Sequence, residues 1–252
     1  MPKVPTLVEM LESGVHFGHR TSKWHPNMKK YIFGAKNGIH IINLEATQKA
    51  LEEAISFCKQ VTMRGGTILF VGTKKQASPI IEKFATEAKM PYVTKRWLGG
   101  TLTNFSVIAQ MLKKYKDLKR KQEKGEFGKY TKLEQLKFNE QIATLDEKVG
   151  GIQDMNRVPE AIFISDIHKD NTALAEAMRR GVKIIAVCDT NVNPQKVDYP
   201  IPANDDAVKS IELIVSAIAM ACKEGKAEWE SNRSRLGGAL IQTGARKNLK
   251  QI

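Results

Sequence analysis

Three short runs, TILFVG (67–72), AIFIS (161–165) and VKIIAVCD (182–189), are almost wholly apolar, and they alternate with stretches of helical spacing. Runs this short do not make a buried helix, and their unbroken apolarity does not suit a strand with one wet face. Such strands need cover on both faces. Between them lie helical patterns over residues 75–89, over TALAEAMRR (172–180) and over residues 207–223, with MPYVTK (90–95) as a further short strand. Strand–helix alternation of this kind predicts an α/β fold: a Rossmann-like doubly wound parallel sheet flanked by helices.

Ahead of this core the chain is more varied. Thr6 is placed to cap a short helix carrying Leu7, Met10 and Leu11, with Gly14 as its stop. The run YIFGAKNGIHIIN holds Asn37-Gly38 between apolar residues, the pattern of a tight β-hairpin. Ala50, Leu51, Ala54, Ile55, Cys58 and Val61 then recur at helical spacing up to Gly65-Gly66.

The alternation is interrupted after residue 103. Phe105, Ile108, Leu112 and Tyr115, and later Phe138, Ile142, Leu145 and Val149, step by three or four residues with charges between them. GEFGK (125–129) supplies a turn. Two narrow apolar seams about a glycine turn predict an inserted antiparallel coiled-coil helical hairpin. The expected division is therefore a core of residues 1–103 and 152–225, a hairpin of residues 104–151, and a basic C-terminal tail of residues 226–252.

Charge narrows the function. The net charge is +13, and three segments carry more than all of it. Residues 20–36 hold five Lys/Arg and no acid, residues 113–132 hold nine against three acids, and residues 231–252 hold five and none. Basicity in blocks reads as the footprint of a polyanion. The basic blocks lack a long amphipathic helix with a broad apolar face, so nucleic acid is favoured over a membrane surface. No apolar run reaches the ~20 residues needed to cross a bilayer, and the N-terminus has no signal-peptide pattern, so a cytoplasmic location is expected. Cys58, Cys188 and Cys222 are widely spaced among apolar neighbours, which suits buried reduced thiols.

Catalytic patterns are thin. FVGTKKQAS (70–78) follows a strand, but it lacks both GxGxxG and GxxxxGK[ST], so Lys74 is read as a contact to an RNA phosphate rather than part of a nucleotide site. Asp166 and His168 form a conceivable acid/base pair, and they equally suit a hydrogen-bonded loop. No GxSxG or HExxH occurs. A nucleotide-dependent enzyme on the same core is the competing reading.

The basic segments fit RNA better. RTSKWHPNMKKYIF (20–33) interleaves Arg20, Lys23, Lys29 and Lys30 with Trp24, Tyr31 and Phe33, so cations meet phosphates while rings stack on bases or pack locally. KRWLGGTLTNF (95–105) adds Lys95, Arg96 and Trp97, and Lys113 and Lys114 follow on the next helix. Trp97 either faces the RNA or plugs the joint between core and hairpin. Thr101, Thr103 and Asn104 offer hydrogen bonds near a helix N-terminus, where ribose and phosphate oxygens are good acceptors.

His16, Asp189, Asp205 and Asp206 lie in segments that a doubly wound sheet would draw toward the carboxyl ends of its strands, where they could surround a Zn²⁺ or similar cation. Asp205 and Asp206 equally suit the cap of the last helix, and Asp189 a strand end.

The runs ESGVHFGHRTSKWHPNMKKYIFGAKNGIHIINL, KRWLGGTLTNF and GGIQDMNRVPEAIFISDIHKDNTALAEAMRRGVKIIAVCDTNVNP resemble the bacterial small-subunit ribosomal protein S two family, over about residues 5–222. The resemblance implies a parallel α/β core with a helical hairpin inserted after RWLGGTLTNF. It implies a structural, noncatalytic role in the small ribosomal subunit, bound to 16S ribosomal RNA and to other ribosomal proteins, including a ribosomal protein S one homologue. No cofactor is required. A structural zinc pocket at His16, Asp189, Asp205 and Asp206 is also implied.

Overall fold

A computed structural model describes the backbone of residues 4–248 and the side chains of residues 4–234. Five strands form one wholly parallel sheet: β4 (Ile68–Val71), β5 (Tyr92–Val93), β6 (Ala161–Ile164), β7 (Lys183–Cys188) and β8 (Tyr199–Pro202), in the order β5-β4-β6-β7-β8. Two-residue periodicity sorts their side chains into two cores. Ile68, Phe70, Ala161, Phe163, Ile185 and Val187 join one cluster; Leu69, Val71, Ile162, Ile164, Ile184 and Ala186 join the other. The apolar runs are continuous because both faces are covered.

The first face is covered by α2 (Leu44–Met63), α3 (Ser78–Glu87) and α7 (Val208–Asn248). The second is covered by α6 (Asn171–Arg180) and the base of α4 (Phe105–Glu123). Chain order reverses between β4 and β6, so the loops after those two strands flank the crevice of a doubly wound sheet. β8 contains Pro200 and Pro202 and is one of the two edge strands, with β5 at the other edge; at an edge a missing ladder donor is tolerated.

A separate antiparallel sheet, β1 (Phe17–Arg20), β3 (Ile39–Ile42) and β2 (Ile32–Lys36) in that order, lies ahead of the core. Asn37 and Gly38 both take positive φ, 53° and 75°, as the tight turn joining β2 to β3 demands. Helix α1 (Leu7–Glu12) carries the expected Thr6 cap, completed into a capping box by Glu9. Of its apolar face only Met10 is buried; Leu7 and Leu11 are exposed.

Between β5 and β6, α4 and α5 (Lys132–Val149) pair in opposite directions, for Tyr115 bonds Asp146 and Gln122 bonds Asn139. Phe127 in the turn stacks on Phe138 with ring centres 4.9 Å apart. Only the base, at Ile108, Leu112, Tyr115 and Val149, joins the main core.

Helix α7 continues beyond the expected stop near residue 223. A Cβ at Gly225 would lie 2.1 Å from Thr62 Oγ1 and 2.6 Å from the Lys59 carbonyl, so this glycine serves close approach of α7 to α2 rather than termination. Lys59 bridges to Glu224 and Glu228, and Trp229 packs on Gly65, so ordered packing runs past residue 225. The side chains of the basic tail after residue 234 lie outside the described residues.

Candidate nucleic-acid interface

Two loops each set exposed cations beside a tryptophan. Residues 21–31 run in two short 3-10 turns, the second opened by Pro26, and they lean on the loop after β7: the His25 N–H donates to the Thr190 carbonyl (2.7 Å) and Asn27 bonds Asn193 (3.0 Å). This seating turns Arg20, Lys23, Lys29 and Lys30 outward. Trp24 stays exposed beside His40, at 5.4 Å between ring centres, and Lys30 Nζ lies 4.7 Å over the Tyr31 ring.

The second loop, residues 95–104, is organised by a residue that periodicity alone does not single out. Glu176 on α6 is buried, and its carboxylate accepts from Trp97 Nε1 (3.0 Å), from the N–H groups of Gly100 (2.8 Å), Leu102 (3.0 Å) and Thr103 (3.1 Å), and from Thr103 Oγ1 (3.1 Å). Burial opposes its ionisation, but these donors together prevail and hold its pKa below the ordinary value. A signal is present in the sequence: Glu176 shares the inward stripe of Ala173, Leu174 and Ala177, where a lone carboxylate needs partners.

This clamp corrects three expectations. Trp97 is only 8% exposed, with its N–H occupied, so the ring plugs the joint and is not offered to a base. Thr101 is buried and donates to the Leu98 carbonyl (2.6 Å), and the Thr103 hydroxyl is held by Glu176. Lys95, Arg96 and Asn104 remain exposed at the two ends of the loop. Lys113 and Lys114 are exposed on α4, between the inward Leu112 and Tyr115.

The crevice at the switch point is a third, different place. Lys74 does not face outward to a phosphate. Its Nζ lies 2.7 Å from Asp206, 2.9 Å from Asp205 and 3.1 Å from Asp166, and only 15% of its side chain is exposed. Burial disfavours the ammonium, yet Asp206 and Asp205 outweigh it and raise its pKa. Asp205 goes the other way: burial, with Asp166 and Asp189 beside it, pushes it up to about 7 against the pull of Lys74. Nearby, Thr73 Oγ1 donates to Asp170 (2.6 Å). A crevice so rich in carboxylate repels a nucleotide phosphate, and calorimetry is expected to show no micromolar binding of NAD or ATP.

The histidine of this cluster is His19, not His16. Three residues apart on an extended chain, the two side chains fall on opposite faces. His19 Nδ1 lies 3.0 Å from Asp189 and its Nε2 lies 3.7 Å from Asp206, whereas His16 packs on Phe17 at 4.0 Å. The helix cap is not made by the aspartates either: Asn204 Oδ1 accepts from the N–H groups of Asp206 (2.8 Å) and Ala207 (3.0 Å). His19, Asp205 and Asp206 converge closely enough to hold an ion, but the Lys74 ammonium already satisfies both aspartates. The arrangement does not fit a zinc site with open ligands. Asp166 accepts from the Lys169 N–H (2.9 Å) and faces Lys74, while His168 is exposed, so they are not an acid/base pair.

Residues 10–225 match the family model described as Ribosomal protein S2. The chain belongs to the ribosomal protein S2 family. Relatives named "Small ribosomal subunit protein uS2" include those of Chloroflexus aggregans, 47% identical over 92% of this chain and 98% of the relative, and Roseiflexus sp., 48% identical over 94% and 90%. That of Mycobacterium leprae is 47% identical over 88% of this chain and 80% of the relative. The family is structural and not enzymatic, which accords with a crevice that holds an internal ion-pair cluster.

Proposed function

We propose that the chain is a noncatalytic component of the small ribosomal subunit, in the bacterial cytoplasm, that binds 16S ribosomal RNA. One observation carries the reading. Arg20, Lys23, Lys29, Lys30, Lys95, Arg96, Lys113 and Lys114 are all exposed, and among the described residues none pairs with a carboxylate. Cations left without internal partners suit phosphates, and Trp24 supplies an exposed ring beside them. Asn104 adds a polar group at the start of α4. In this reading residues 104–151 extend the RNA surface beyond the core, and the basic tail from 226 onward adds charge to it.

A protein partner has its own support. Leu7, Val8 and Leu11 on α1 and Phe33 on β2, the last 80% exposed, gather about one shallow apolar groove. Such a patch suits another ribosomal protein, and a ribosomal protein S one homologue is the partner proposed for it. Zinc is not part of this reading.

The test is co-sedimentation of the tagged chain with small ribosomal subunits and its release by high salt. Replacing Lys95 and Arg96 by alanine should weaken the association and lower its salt slope by about one unit for each phosphate no longer neutralised. An unchanged slope removes those two residues from the interface.

A further inference from the structure

At the edge of the sheet away from the Lys74 crevice lies a cleft of about 660 Å³, lined by Thr67, Lys89, Gly151, Arg157 and Lys226 among others. Asp154 is its one carboxylate, and that side chain is 90% exposed and lies 3.9 Å from Lys116. Arg157 is paired with Glu160 at 2.8 Å. Lys226 Nζ donates to the Lys89 carbonyl (2.9 Å), which ties the two lysines to one lip of the cleft. Neither has a carboxylate partner among the described residues.

The backbone under Lys89 is a second, independent sign. Helix α3 ends in a paired turn: the Lys89 N–H bonds the Thr86 carbonyl (3.0 Å) and the Met90 N–H bonds the Ala85 carbonyl (2.9 Å). The residue between helix and exit must be left-handed there, a place that favours glycine. Lys89 sits at φ +53° instead, and its ammonium makes no hydrogen bond among the described residues. Lys89 thus keeps a lysine where glycine would be less strained, and its ammonium, beyond complementing the C-terminal end of α3, stays unpaired at the cleft and open to an anion.

We propose that this cleft is a second RNA-binding site, taking the phosphodiester backbone of an unpaired segment on Lys89 and Lys226. The inference rests on the RNA-binding reading above. Gln153 and Asn156 line the cleft with amides, and Thr67 and Thr86 with hydroxyls, groups that serve ribose and phosphate oxygens.

Lys89→Gly separates structure from function, because glycine relieves the strain while removing the charge. The full-length K89G chain should melt no lower than the parent, and up to about 2 °C higher. It should rebind salt-washed small ribosomal subunits more weakly, with the salt slope smaller by about one; Lys226→Met should lower the slope similarly. A photo-crosslinking amino acid at position 89 should label ribosomal RNA. Parent-like affinity and slope in both variants would overturn the proposal, as would labelling of protein alone. If the parent chain itself fails to bind, the RNA reading falls and this site with it, a result distinct from loss of the cleft alone.

Discussion

Lys74→Met is expected to destabilise the folded chain by about 3 kcal/mol or more at neutral pH, read from the midpoint of denaturant unfolding. Methionine fills nearly the same volume, so the loss reports charge rather than packing. Without the ammonium, Asp205 and Asp166 are buried with no cation against them, and only Asp206 reaches solvent readily. The pH dependence has a definite sign. Asp205 is raised from 3.8 to about 7 in the folded parent, so it takes up a proton on folding within that window, and its contribution to stability falls as pH rises through it. Removing Lys74 takes away the pull that lowers Asp205 and raises it further. The gap between variant and parent should therefore narrow as pH falls toward about 4. A gap independent of pH would refute the ion-pair account of the crevice.

Glu176→Ala is expected to cost about 3 to 5 kcal/mol, because it strands several buried donors together: Trp97 Nε1 and the N–H groups of Leu102 and Thr103 foremost. Glu176→Gln keeps the size and one acceptor oxygen but turns amide hydrogens toward donors, and should cost about 2 kcal/mol. Since the folded carboxylate has a lowered pKa, its stabilisation is present above the ordinary glutamate range and is lost on acidification through the folded value. The glutamine variant should lack that acid-dependent component. Near-parental midpoints for both variants would show that water satisfies the loop equally well. Lys95 and Arg96 precede the clamped stretch, so the alanine variant should also bind small subunits more weakly than its residual folded fraction explains.

Much of the fold is legible in the chain because its signals are local. The apolar strands, the Thr6 cap and the Asn37-Gly38 turn each follow from a few adjacent residues whose backbone or burial requirement has one common solution. Where distant packing overrides a local signal, the pattern misleads. β8 is hidden in the sequence because its prolines argue against a strand, and only its place at the sheet edge makes them acceptable. α7 reads too short because its helical spacing is followed only to residue 223, whereas Gly225 lets it run on in close approach to α2. The choice between His16 and His19 turns on which face of one extended segment meets the strand ends.

The candidate site divides along the same line. Charge blocks, aromatic spacing and the α/β alternation are written in order along the chain, so the basic surface and the parallel core can be read from it. Which cations remain available cannot. Lys74 is neutralised by Asp166 and Asp205, which lie 92 and 131 positions away, and Trp97 is turned inward by Glu176, 79 positions away. Ion pairing and hydrogen bonding depend on separations of about 3 Å in space. The amino-acid sequence by itself determined that this protein is a basic, doubly wound α/β chain; only the tertiary structure decided which of its charges are paired inside it and which stay exposed.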